Sequence, residues 1–155
     1  LVENKEPILG VLYNPEKEEI FTAVTGKGAF YNGKSVTCSK LTELSKMIIL
    51  NSRTETRDGL WLPFKEVFKE LKGVGSVAYK LGLTAAAKAD IFATLRPKNE
   101  WDVCAGHCII NEAGGMMIDL KGNEVTYNNK NPLFSPGLVA GNPMVVKKVL
   151  RLLTL

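Results

Sequence analysis

The stretch that decides the fold is NEWDVCAGHCIINEAGG, residues 99–115. Between Asp102 and Glu112 its residues are mostly apolar or small. A surface helix scatters charge around its polar face, and this segment does not. It reads as a largely buried helix over Asp102 to Ala113, opening on a carboxylate and stopped by Gly114-Gly115. A carboxylate just before a helix caps free N–H groups and complements the helix dipole. The same place also suits a Mg²⁺ ligand. Hard cations take carboxylate oxygens, and α/β folds gather ligands where a strand ends and a helix begins. One carboxylate does not hold a catalytic Mg²⁺ alone, so that reading requires partners from elsewhere.

Outward from this helix the chain alternates. KMIILNS (46–52) is an apolar run of the kind buried in α/β sheets. LWLPFKEVFKELKG (60–73) carries Leu60, Phe64, Val67, Phe68 and Leu71 at helical spacing, which predicts a helix stopped by Gly73. VGSVAYKLGLTAAAKAD (74–90) predicts an alanine-rich helix with a Gly-Ser start, and IFATLRP (91–97) a strand ended by Pro97. MMIDL and GLVAG (137–141) read as strands, and PMVVKKVLRLL (143–153) as an amphipathic helix with Pro143 in its first turn. The first 40 residues are different. ILGVLY (8–13) and EIFTAVT (19–25) read as a hairpin, with short strands at 29–31 and 35–37 set off by Gly26, Gly28 and Asn32-Gly33. The expectation is a layered α/β (α+β sandwich) domain over 41–155, preceded at 1–40 by the last strands of another sheet. The chain opens LVENKEPILG, without Met and as if on the tail of a strand, so further sequence is expected upstream.

Composition narrows the function classes. The 155 residues are 45% hydrophobic and 23% charged, ordinary for a globular protein. Apolar runs fall far short of the roughly 20 residues that a membrane span needs. The net charge of +4 is spread without a basic run, which argues against a nucleic-acid polymer as partner. Three cysteines, Cys38, Cys104 and Cys108, fit reduced thiols and a cytoplasmic setting better than a disulfide framework.

Three further groups of residues could carry chemistry. Gly75 and Ser76 at a helix start present N–H groups to a phosphate or hydroxyl-rich ligand, or form an ordinary cap. Lys80 shares a face with Ser76 and could reach an anion or simply be solvated. Ser52 and Arg53, in the loop after the 46–52 strand, could contact a phosphate or close a turn. Cys104, His107 and Cys108 lie on one helix face at zinc-ligand spacing, or are two buried thiols beside an imidazole.

EWDVCAGHCIINEAGG resembles the C-terminal Trp-Asp signature of the inositol monophosphatase superfamily. PILGVLYNPEKEEIFTAVTGKGAFYNGKSV and VGSVAYKLGLTAAAKADIFATL are similar to the flanking segments of those enzymes, in the same order. LNSRTE, YKL and LRPKNEWD look most like the branch acting on 3′-phosphoadenosine 5′-phosphate, the 3′(2′),5′-bisphosphate nucleotidases, with inositol monophosphatase as the close rival. The resemblance implies the C-terminal half of the sugar-phosphatase fold, Mg²⁺ as cofactor, a small phosphorylated metabolite as substrate and a homodimer. It makes Asp102 a metal ligand that also touches substrate. It places Gly75, Ser76 and Val77 on the sugar or inositol, Ser76 and Lys80 near a nucleotide, and Ser52 as the hydroxyl residue of the strand-end loop. Two departures cut across the branches: Glu55 stands where nucleotidases carry His, and Leu95 where inositol monophosphatases carry Glu. The family's Asp-Pro-x-Asp-Gly-Thr metal motif does not occur in the chain, and the Glu-Glu pair that supplies its other metal ligands is expected upstream with it. The chain alone is therefore expected to be inactive. Fructose 1,6-bisphosphatase activity, a non-catalytic binding module and a small zinc protein are the alternatives.

Overall fold

Alternation of small and large residues builds the first sheet. In the computed structural model, which describes residues 1–154, a short hairpin of β1 (Val2–Glu3) and β2 (Glu6–Pro7) comes first. Four antiparallel strands follow in sheet order: β3 (Leu9–Asn14), β4 (Glu19–Val24), β5 (Ala29–Tyr31) and β6 (Lys34–Val36). Register pairs Gly10 with Ala23 and Leu12 with Phe21, so these side chains share the inner face.

The second sheet is mixed. Its elements are β7 (Ile48–Ser52), α1 (Arg53–Arg57), β8 (Glu70–Val74), α2 (Val77–Ala85), β9 (Ile91–Thr94), β10 (Lys98–Asn99), α3 (Glu100–Glu112), β11 (Met116–Asp119), β12 (Leu133–Phe134), β13 (Leu138–Gly141) and α4 (Pro143–Leu153). The order is β11-β13-β9-β7-β8; β7 runs parallel to β8 and β9, and β13 antiparallel to β9 and β11. β10 and β12 pair separately.

Two apolar clusters stack these layers. One joins Phe21 and Ala23 of the first sheet, Leu81 of α2, Ile109 of α3, and Phe92 and Leu138 of the second sheet. The other, on the far face of the second sheet, joins Ile49, Ile91 and Val139 to Val145 and Val149 of α4, with Trp61 and Phe68. The layers run sheet, α2–α3, sheet, α4. Close approach depends on missing side chains. A Cβ at Gly10 would run into the Ala105 carbonyl, and one at Gly106 would stand 2.5 Å from Leu81 Cδ1. α3 ends in a Schellman turn: the Gly114 N–H donates to Asn111 O and the Gly115 N–H to Ile110 O, with Gly114 at φ +74°.

The helix expected over residues 60–73 is absent. A single 3₁₀ turn, Leu62–Phe64, precedes β8, which forms the edge of the second sheet. The helical spacing there was coincidental. Trp61 and Phe68 are the buried side chains, Leu62 is exposed, and Leu71 lies in register with Ile49. Five ladder positions beside β7 outweigh the modest helix propensity of the segment. The helix expected over 74–90 is shorter, because β8 runs to Val74 and Ala87 takes φ +52° just after α2. No helix among the described residues is long and apolar enough to cross a membrane.

Candidate functional site

The start of α2 and the start of α3 meet at the C-terminal ends of the parallel strands β7 and β8. Ser76 caps α2 from a left-handed backbone, φ +58° and ψ 121°, and its Oγ accepts the Tyr79 N–H at 3.2 Å. A non-glycine residue in that region costs about 1 kcal/mol or more and is held by its surroundings. Beside it, the Arg53 guanidinium crosses Gly75; a Cβ there would stand 2.5 Å from Nη2.

Asp102 is not the cap of α3, as its position in the sequence had implied. Asn99 takes that place, and Asp102 sits three residues on. Its Oδ2 accepts the Asn99 N–H at 3.4 Å, the acidic half of a capping box. Asp102 lines a hollow of about 490 Å³ with Ser76, Val77, Lys98 and Trp101. Trp101 is 70% exposed on the rim of this hollow. An adjoining hollow of about 280 Å³ is lined by Ser52, Gly75, Ser76, Val77 and Lys80, together with Arg53 and Lys98. The six residues to which the resemblance gave a role, Ser52, Gly75, Ser76, Val77, Lys80 and Asp102, therefore each border at least one of two hollows that share Ser76, Val77 and Lys98.

Lys80 is neither solvated nor freely reaching. It is 2% exposed, donates from Nζ to Asn51 O at 3.2 Å, and lies 5.5 Å from the centre of the Phe92 ring. Burial pulls its ammonium down to about 8, helped by Lys98 and Arg53 and opposed by Glu55. Glu55, read from the sequence only as a departure, organises the floor of the site. It is fully buried and accepts from Thr94 Oγ1 at 2.5 Å, Trp61 Nε1 at 2.9 Å and the Leu95 N–H at 3.2 Å. These bonds tie α1 to the end of β9 and so fix the Ser52–Thr54 corner. Lys98, which lines both hollows, was not singled out from the sequence; no spacing marks a lysine between Pro97 and a helix cap. Burial lowers its pKa, against the pull of Glu55 and Asp102.

The zinc alternative fails on geometry. His107 is buried, with Nδ1 2.9 Å from the Tyr127 hydroxyl, and the Cys108 thiol faces the Ala23 carbonyl at 3.9 Å. Burial holds the imidazole down at about 4 and raises both helix thiols. Among the described residues no three His, Cys, Asp or Glu side chains converge to hold a metal ion. Asp102 has the hard oxygens that Mg²⁺ prefers and fits as one ligand of such an ion, with the remaining ligands outside this set.

Comparison with known proteins agrees with the family resemblance. The inositol monophosphatase family profile matches residues 1–151. Inositol monophosphatase 2 of Solanum lycopersicum is 36% identical over 132 residues, covering 80% of this chain and 50% of that protein. The fructose-1,6-bisphosphatase/inositol-1-monophosphatase of Thermotoga maritima is 34% identical over 139 residues, covering 89% and 54%. The structure of a Thermotoga maritima IMPase superposes with a TM-score of 0.85 at 29% identity, over 99% of this chain and 58% of that one. The chain thus spans about half the length of the curated relatives it matches. These relatives bear inositol monophosphatase names, so the finer likeness to bisphosphate nucleotidases is not what they support; the rival branch is.

Proposed function

Because the chain belongs to the inositol monophosphatase family, we propose that it forms the substrate-side part of a Mg²⁺-dependent phosphomonoesterase acting on a small phosphorylated metabolite. An inositol or sugar phosphate is the class its relatives favour. The observation that carries this reading is the placement of Asp102 in the same hollow as the start of α2. Mg²⁺, when bound, neutralises phosphate charge and makes a bound water more acidic.

This chain's residues have narrower tasks. Asp102 would contribute one oxygen to the metal, while its bond to the Asn99 N–H holds the carboxylate in place. The start of α2 favours an anionic or hydroxyl-rich group through its free N–H groups and dipole. The Ser76 hydroxyl and the Gly75–Val77 backbone would orient the alcohol part of the substrate. Glu55 would keep Ser52 and Arg53 in place through its three donors. The homodimer and the cytoplasmic setting belong to the same proposal.

On this reading the companion ligands of Asp102 come from outside the described residues, among which no three metal-ligating side chains converge. The same absence favours a non-catalytic binding module as the second reading. Phosphate release from inositol 1-phosphate in Mg²⁺ separates the two. We expect turnover when the chain is joined to the metal-motif half of a family relative, and none from the 155-residue chain alone. Asp102→Asn in the joined protein should lower kcat about 100-fold or more with the fold intact, since a group that stabilises transition-state charge is commonly worth that much. Near-normal turnover in that variant removes Asp102 from the reaction. Ordinary turnover by the chain alone overturns the division of labour.

A further inference from the structure

Another hollow, of about 260 Å³, lies at the free edge of β11 and shares no residue with the two at the starts of α2 and α3. His107 and Asn111, one turn apart on α3, form one wall, and Met116 and Met117 of β11 form an apolar side. Two exposed glutamates complete the lining: Glu6 of β2, and Glu124, which a bridge to Ile118 holds in place. Neither takes part in an ion pair among the described residues, and no lysine or arginine lines the hollow. His107 points to a ligand independently. It is 5% exposed, and the proposed reaction gives it no task. Its Nδ1 lies 2.9 Å from the Tyr127 hydroxyl, and Tyr127 does not line the hollow, so the ring reaches the hollow with its opposite, Nε2 edge. Burial keeps the hydroxyl protonated and the imidazole neutral. The hydroxyl has no other acceptor among the described residues, so it donates to Nδ1 and the ring proton sits on Nε2. No side chain or carbonyl among the described residues accepts that Nε2–H.

We propose that this hollow binds a small hydroxylated amine, with the ammonium at the Glu6 and Glu124 rim and a hydroxyl oxygen accepting the His107 Nε2–H. The two carboxylates, uncompensated by any cation in the lining, attract a positive group and repel an anion. A single metal ion does not suit them, because Glu6, Glu124 and His107 do not converge closely enough to share one. A polyatomic cation spans that spacing. An alkylamine without oxygen leaves the His107 N–H buried and unpaired, and a neutral polyol leaves both carboxylates uncompensated. The Asn111 amide both donates and accepts, so it adapts to a hydroxyl. The Met116 and Met117 side chains are flexible enough to close around an aliphatic body. At about 30 Å³ per water-sized group, the volume suits a molecule of about six to eight non-hydrogen atoms. The site is independent of the phosphatase reading, since no residue assigned to that reaction borders it.

The test is a titration of the 155-residue chain with serinol at neutral pH and constant ionic strength, followed by NMR. Serinol should shift the His107 ring, the Asn111 side-chain amide and the Met116 and Met117 methyls, and the shifts should saturate. Two matched probes divide the contributions. Glycerol replaces the ammonium by a hydroxyl, and isopropylamine removes both hydroxyls; each should bind about fivefold more weakly or worse. Glu6→Gln and Glu124→Gln should each weaken serinol binding about threefold, and the double variant about tenfold, the scale of exposed ion pairs. Both glutamates are exposed and outside the core clusters, so these variants should keep the wild-type amide pattern elsewhere. Asp102→Asn should leave serinol binding unchanged. Four results overturn the site: no saturable shift, glycerol binding as tightly as serinol, unchanged affinity in the Glu6→Gln/Glu124→Gln double variant, or shifts confined to Ser76 and the Trp101 indole.

Discussion

Replacing Lys80 by Met tests the electrostatics of the site most directly. Its ammonium is pulled from 10.5 down to about 8 by burial, a drop of roughly 2.5 units. At about 1.4 kcal/mol per unit, carrying the buried charge costs the native state about 3 kcal/mol at neutral pH. Methionine matches the shape of the chain and removes that cost. It also removes the bond from Nζ to Asn51 O, worth about 1 kcal/mol. The net expectation at pH 7 is a variant about 2 kcal/mol more stable than the wild type. The sign then changes with pH. Between about 8 and 10.5 the unfolded chain keeps a proton that folded Lys80 has lost, so wild-type stability rises with pH through that window. Above it both lysine states are neutral, and the variant should be the less stable by the lost hydrogen bond. Urea midpoints at pH 7 and pH 10.5, for both proteins, measure the difference. A Met variant less stable at pH 7, or a difference that does not move with pH, refutes the account of Lys80 as a strained buried cation.

Two other perturbations probe the frame. His107 is held neutral by burial, with its pKa lowered from 6.5 to about 4. The unfolded chain therefore binds the extra proton between those values, and stability falls as pH drops through them. In His107→Gln this share of the acid sensitivity, about 3 kcal/mol, should disappear; an identical fall in urea midpoint from pH 7 to pH 4 in both proteins would contradict it. Gly10→Ala places a methyl against the Ala105 carbonyl, where both sides are backbone and neither yields cheaply. A loss of about 1–3 kcal/mol is expected in thermal unfolding, and an unchanged Tm would mean that β3 and α3 are not in close contact.

Much of the fold was written locally. The buried run at β7, the β3–β4 hairpin, the Gly114-Gly115 stop of α3 and the amphipathic α4 are each set by periodicity or by a backbone conformation that glycine supplies. Such signals need only neighbours in sequence. The segment before β8 failed for the opposite reason. Its apolar spacing satisfied a helix, but the vacant edge beside β7 offered a ladder, and only the assembled sheet contains that edge.

The site divides in the same way. Asp102, Gly75 and Ser76 were legible because each stands at a helix start, where unpaired N–H groups make a local demand. The exposure of Trp101 was decided by the fold, because nothing in the residue order says which face of the first turn of α3 meets protein and which meets the hollow. Glu55 looked like any loop acid until the end of β9 supplied its donors. Arg53, Lys80 and Lys98 are scattered over 46 positions and share no motif; packing of α1, α2 and β10 around one corner of the sheet turns three ordinary cations into a single positive hollow. Sequence determined the β3–β4 hairpin, the β7 strand and the helices α2, α3 and α4, and placed Asp102 in the first turn of α3. Charge convergence was decided by tertiary structure, because Coulomb interactions depend on distance through space and not along the chain.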